Sequence, residues 1–121
     1  MNFVSILSVG VGAFIGGVLR YMISVYIKSD QGRFPLSTFL INLLGSFFLG
    51  VIVSYALKEE ISPNIKLLLA TGICGGFTTF SAFSLEVIQI WQTGQSSIAI
   101  WYVLASLVGG VLLAWIGLKI S

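Results

Sequence analysis

The chain has little charge and no histidine: six Lys+Arg and four Asp+Glu leave 8% of its 121 residues charged, against roughly 25% in a soluble domain. No ordinary solvated surface can be built from so few. The net charge of +2 supplies no basic stripe, which excludes nucleic-acid binding. Without histidine no side chain titrates near neutrality unperturbed. Cysteine is reduced to Cys74 alone, so there is no intrachain disulfide and no Cys/His cluster for zinc or haem. The only prolines are Pro35 and Pro63, and both fall in breaks between apolar runs.

What is present in excess is apolar sequence, 57% of the chain. A membrane-spanning helix needs about 20 mostly apolar residues, and the chain divides into four such runs: 3–27, 37–57, 65–91 and 98–118. The first carries Arg20, the third carries Lys66 and Glu86, and the other two carry no charge. The connections 28–36 (KSDQGRFPL), 58–64 (KEEISPN) and 92–97 (QTGQSS) hold the Gly, Pro, Ser and charge that punctuate helices. Residues 1–121 therefore read as a single four-helix transmembrane domain. Continuous apolar runs of helical length do not alternate as barrel strands do. Met1 and Asn2 make no basic n-region, so the first span is expected to remain in the mature protein.

The positive-inside rule is almost evenly balanced. The side holding both termini carries Lys58, Lys66 and Lys119; the other carries Lys28 and Arg33, with Arg20 about two turns inside the membrane. This near-equality is what a chain inserting both ways round, and pairing as an antiparallel homodimer, would show.

Fourteen glycines lie mostly inside the spans, where small residues let helix backbones approach. Gly12 and Gly16 make one G-x-x-x-G step. The third span gathers Gly72, Gly75, Gly76, Thr78, Thr79 and Ser81 in mid-membrane, and each glycine costs a helix interior about 1 kcal/mol relative to alanine. The expectation is an interrupted third helix whose carbonyls, freed at depth, turn to a cavity or a small cation. Phe80 and Phe83 follow on one helix face, and a phenyl ring has a positive edge that can hold an anion without trapping it. Asn42 offers an amide donor where no water can satisfy it, with Ser46 one turn further on. Ser106 in the fourth span serves either an interhelical hydrogen bond or a pore. Glu86 lies toward the far end of the third span, its charge open to Arg20, Lys66 or water. No opposed carboxylates, nucleophilic triad or phosphate loop occurs, so an enzyme is not expected.

Three segments carry a family resemblance: G-x-x-x-G-G-x-x-R-Y at 12–21, S-T-F-L-I-N-L-L-G-S-F-x-L-G at 37–50 and G-I-C-G-G-F-T-T-F-S-A-F at 72–83. Together they resemble the small fluoride-specific ion channels of the CrcB or Fluc family. The resemblance implies an antiparallel, dual-topology homodimer of four-helix subunits in the cell membrane that exports fluoride passively and so lowers its toxicity. It implies that Asn42, Phe80 and Phe83 line the fluoride path, with Thr79, Ser81 and Ser106 as polar groups in or near it. Arg20 would be the vestibule cation, and the carbonyls of Gly75 and Thr78, with their counterparts in the inverted copy, would hold a structural Na+. The alternative is a proton-coupled exporter of the small multidrug-resistance type, which needs a carboxylate in the first helix; here the first acidic residue is Asp30, in a connection. A purely structural subunit would leave the glycine-hydroxyl cluster and the Asn42/Phe80/Phe83 set without a purpose.

Overall fold

The computed structural model describes residues 1–28 and 33–121; part of the 28–36 connection, Asp30 included, lies outside the described residues. Helix α1 (Phe3–Tyr26) starts at Asn2, whose side chain accepts the Ser5 amide at 2.8 Å. Helix α2 (Leu36–Leu57) follows Pro35. It ends where Glu59 takes a positive φ of 58°, a left-handed stop usually left to glycine.

The third span runs from Pro63 to Gln92. Ser62 caps it by accepting the Ile65 amide at 3.2 Å. Pro63 stands inside the helix at its first turn, where its missing N–H costs nothing, so the helix begins earlier than the apolar run. This span is composite: α3 (Pro63–Lys66), a π-helical segment (Leu67–Cys74), α4 (Gly75–Phe77) and α5 (Phe80–Gln92), with the backbone extended at Thr78 and Thr79. Gly94 closes α5 at φ +82°, a conformation glycine adopts freely. Helix α6 (Ser96–Ile120) completes the chain.

Among the described residues there are four helical spans long and apolar enough to cross a membrane. Their burial pattern inverts that of a soluble protein. Phe14, Leu19, Phe48, Val108, Val111 and Trp115 are exposed, whereas the interior face of α2 is Ser37, Thr38, Ile41, Gly45, Gly50 and Ser54. Lipid already solvates large apolar side chains, so burial gains little from them and selects close contact and paired polar groups instead.

That selection produces two seams. Along the first, α1 lies on the π segment and α4: a Cβ on Gly12 would meet Leu68 O and, at 2.8 Å, the Gly72 Cα, and one on Gly16 would meet Ile73 O and Phe77 N. The sequence step Gly12/Gly16 thus faces a second one, Gly72/Gly76, since a Cβ on Gly76 would come within 2.9 Å of the Ala13 Cα. Along the second, α2 lies on α6, with Gly50 against Ala114 and Gly117 against Phe47 and Val51. Helix α5 joins these by leaning on α6, where Ile90, Ala99 and Tyr102 form a small buried cluster under Phe34, Phe39, Phe83, Val87 and Ile98. At the end where α2 and α6 finish, Lys58 donates to the Ser121 carbonyl and lies over Tyr55, and Lys119 lies over Trp115. Such aromatic and basic pairs suit the headgroup level.

Candidate functional site

The extended residues Thr78 and Thr79 interrupt the helix ladder, and the backbone groups around the break are met by the side chains of Asn42, Arg20, Thr78 and Thr79. Asn42 on α2 grips Thr79 at both ends: its Oδ1 accepts the Thr79 amide at 2.9 Å and its Nδ2 donates to the Thr79 carbonyl at 3.1 Å. A primary amide has two N–H donors, so one remains for another acceptor. Arg20 on α1 donates from Nε to the Gly76 carbonyl at 3.2 Å. Thr78 returns both its amide, at 3.0 Å, and its hydroxyl, at 2.9 Å, to the Cys74 carbonyl. The restart is capped from within, Thr79 Oγ1 accepting the Ala82 amide at 3.2 Å. Gly45 makes room for all this, because a Cβ there would strike the Thr78 methyl.

A groove of about 340 Å³ runs along this break. Asn42, Thr79, Phe80, Phe83 and Ser106 line it, and so do Gly75 and Thr78. Ser81 and Arg20 are not in its wall; Ser81 Oγ sits 3.4 Å from Thr79 Oγ1. The two phenylalanines differ in setting. Phe80 is 77% exposed at the rim. Phe83, whose ring centroid is 5.8 Å from that of Phe80, also packs at 4.9 Å on Tyr102. Tyr102 in turn meets Phe34 edge-on at 5.3 Å. Among the described residues Ser106 Oγ is the buried side-chain polar atom without a partner, a donor left over in the groove's wall.

The sequence did not reveal what holds Glu86. Its carboxylate pairs with neither Arg20 nor Lys66; it accepts from the Thr38 hydroxyl at 2.8 Å and from the Tyr102 hydroxyl at 2.9 Å. These two bonds tie α5 to α2 and α6 just beyond Phe83. The available signal was the cost of a carboxylate in an apolar span, which demands buried partners, but Thr38 lies 48 positions away and nothing local identifies it.

Taken together, the groove offers weak, neutral donors: an amide N–H, hydroxyls and ring edges. No group of three or more His, Cys, Asp or Glu side chains able to hold a metal occurs among the described residues. The model of the family described as CrcB-like protein, Camphor Resistance (CrcB), matches residues 7–118. A protein of Azobacteroides pseudotrichonymphae named fluoride-specific ion channel FluC is 45% identical over 113 residues, covering 89% of this chain and 90% of that one. Like-named proteins of Prosthecochloris aestuarii and Flavobacterium psychrophilum are 40% and 41% identical, covering 99% and 97% of this chain and 94% and 96% of their own.

Proposed function

Given that the chain belongs to the CrcB family, we propose that it is a fluoride-selective channel whose conducting wall is the groove along the Thr78–Thr79 break. It is a multi-pass membrane protein and not an enzyme. The observation that carries the reading is the convergence of Asn42, Thr79, Phe80, Phe83 and Ser106, from three spans, on one groove. Fluoride is small and strongly hydrated, so its path must replace water's donors with several weak ones and still release the ion. The spare Asn42 N–H, the unpartnered Ser106 hydroxyl and the ring edges of Phe80 and Phe83 meet that requirement; Ser81 assists from behind Thr79. Among the described residues no Lys or Arg side chain lines the wall to trap the anion. The interrupted third helix is the device that brings Phe80 to the rim, and transport is passive export, since α1 has no carboxylate to relay protons as the drug-exporter alternative requires.

An anion cannot travel against lipid, and Phe80 stands 77% exposed in a single chain. The missing wall is a second copy, inserted the other way round, which the nearly equal cations on the two sides permit. The cell membrane is the proposed location. At the centre of such a pair, the Gly75 and Thr78 carbonyls would hold a structural Na+. The residues fit it: both line the groove, a Cβ on Gly75 would have nothing nearer than Ala70 O at 3.9 Å, and neutral oxygen donors suit a hard cation of low charge. The ion would neutralise carbonyl dipoles where the two breaks meet.

Purified protein in liposomes is expected to release fluoride down its gradient while retaining chloride. Chloride efflux at a comparable rate, or folded protein that passes no fluoride, refutes the reading.

A further inference from the structure

Arg20 is separated from the groove wall, and its one described bond goes to a backbone carbonyl. It stands four residues beyond Gly16, so it continues the Gly12/Gly16 face of α1 past the point where the seam with Gly72/Gly76 ends. Contact between the two backbones there brings the guanidinium stem so close that the inner nitrogen, Nε, makes the bond to Gly76 O at 3.2 Å. This carbonyl belongs to the last turn of α4, which stops at Phe77. A helix ending in mid-membrane leaves carbonyls without partners and a partial negative charge that a cation offsets. Thr78 covers the Cys74 carbonyl with its own amide and hydroxyl, and Arg20 covers the next but one. Arg20 has no carboxylate partner among the described residues, so no competing ion pair explains why a costly charge lies there.

We propose that Arg20 is a positioning residue: its Nε–H bond to Gly76 closes the end of α4 and thereby fixes the extended backbone at Thr78 and Thr79 on which Asn42 and Phe80 depend. Its influence on conduction runs through that backbone and not through its charge at the mouth of the path. The conduction half rests on the channel reading; the structural half does not, and the test separates them.

Hydrogen–deuterium exchange of the full-length protein in detergent reads the Thr78 amide, bonded to Cys74 O, and the Thr79 amide, bonded to Asn42 Oδ1. Arg20→Met keeps the apolar stem and removes donor and charge. It is expected to speed exchange at both amides about tenfold, the scale of one charge-assisted bond, leaving α6 unchanged. Fluoride efflux from liposomes should fall in step. Arg20→Lys, which restores a donor to a terminal carbonyl, should recover exchange protection and efflux together, and Arg20→Met efflux should stay low at high salt. If Arg20→Met slows efflux while both amides stay protected, Arg20 acts by its field and the proposal is overturned; faster exchange with full efflux overturns its functional half. Should Arg20→Met fail to fold, Arg20→Gln, neutral but still a donor, decides: protection at the break with normal efflux supports the cap, and protection with lost efflux refutes it. If the unsubstituted protein passes no fluoride, the channel reading fails while the exchange result still judges the cap.

Discussion

On one side of Thr78 and Thr79 the third span is pressed against α1 backbone to backbone; on the other it is held by the tips of side chains. The π segment and α4 leave no room for a single methyl at Gly12, Gly16 or Gly76. Helix α5 instead leans on α6 through Ile90, hangs Phe83 on Tyr102 and anchors Glu86 by two hydroxyls. Contact through backbone permits one register and resists any added atom, which suits the half that must hold a break in place. Contact through side chains leaves Phe80 free at the rim, which suits the half that presents rings to an ion.

The sharpest test of the first half is Gly16→Ala. Its methyl would meet Ile73 O and Phe77 N, neither of which can swing away, so a destabilisation of about 3 kcal/mol, the upper end of ordinary overpacking, should appear as a large drop in thermal midpoint or in monodisperse yield. Gly17→Ala, with nothing within 4 Å, is the matched control, and equal behaviour of the two would dissolve the contrast. Next in size is Asn42→Asp at the junction. It turns the Nδ2 donor into an oxygen facing the Thr79 carbonyl, leaving a half-buried group unsatisfied at about 1–3 kcal/mol, and fluoride efflux should fall at least about tenfold; full efflux would mean the Asn42–Thr79 grip is dispensable.

Within the second half the two rings should separate stability from transport. Phe80→Ile should lower efflux with little change in the thermal midpoint, because within the subunit the ring is exposed at the rim and carries little of its packing. Phe83→Ile should lower both, because the packing of its ring on Tyr102 stabilises the fold by about 0.5–1.5 kcal/mol. A fall in stability for Phe80→Ile as large as for Phe83→Ile would put both rings in the packing. Comparable to Phe83→Ile in stability is Thr38→Val, which removes one of the two donors to Glu86 and should cost about 1.5 kcal/mol; no change in unfolding would show that Tyr102 alone suffices.

Much of this is legible in the residues. Spans, connections and the glycine step on α1 follow from run length and spacing, which are local properties. The set Asn42, Phe80, Phe83 and Ser106 stands out through the expense of polar groups in lipid and the spacing of the two rings. The second glycine step, Gly72/Gly76, is visible as composition but not as a partner for Gly12/Gly16. Asn42 presents itself in the sequence as an amide that needs either a partner or an ion path, and half of its hydrogen-bonding capacity is spent on Thr79. Arg20 presents itself as a charge, and it is found capping a carbonyl.

The amino-acid sequence by itself determined that this is a membrane protein of four spans, because transfer of apolar surface into lipid depends on composition summed over about 20 residues and not on neighbours in space. The tertiary structure alone decided which polar group meets which: Asn42 with Thr79 across 37 positions, Thr38 with Glu86 across 48, Arg20 with Gly76 across 56. In a bilayer every such group must find a partner, yet several partners of the right chemistry exist along the chain. Only the glycine seams, by fixing how closely and in what register the helices pass, select among them.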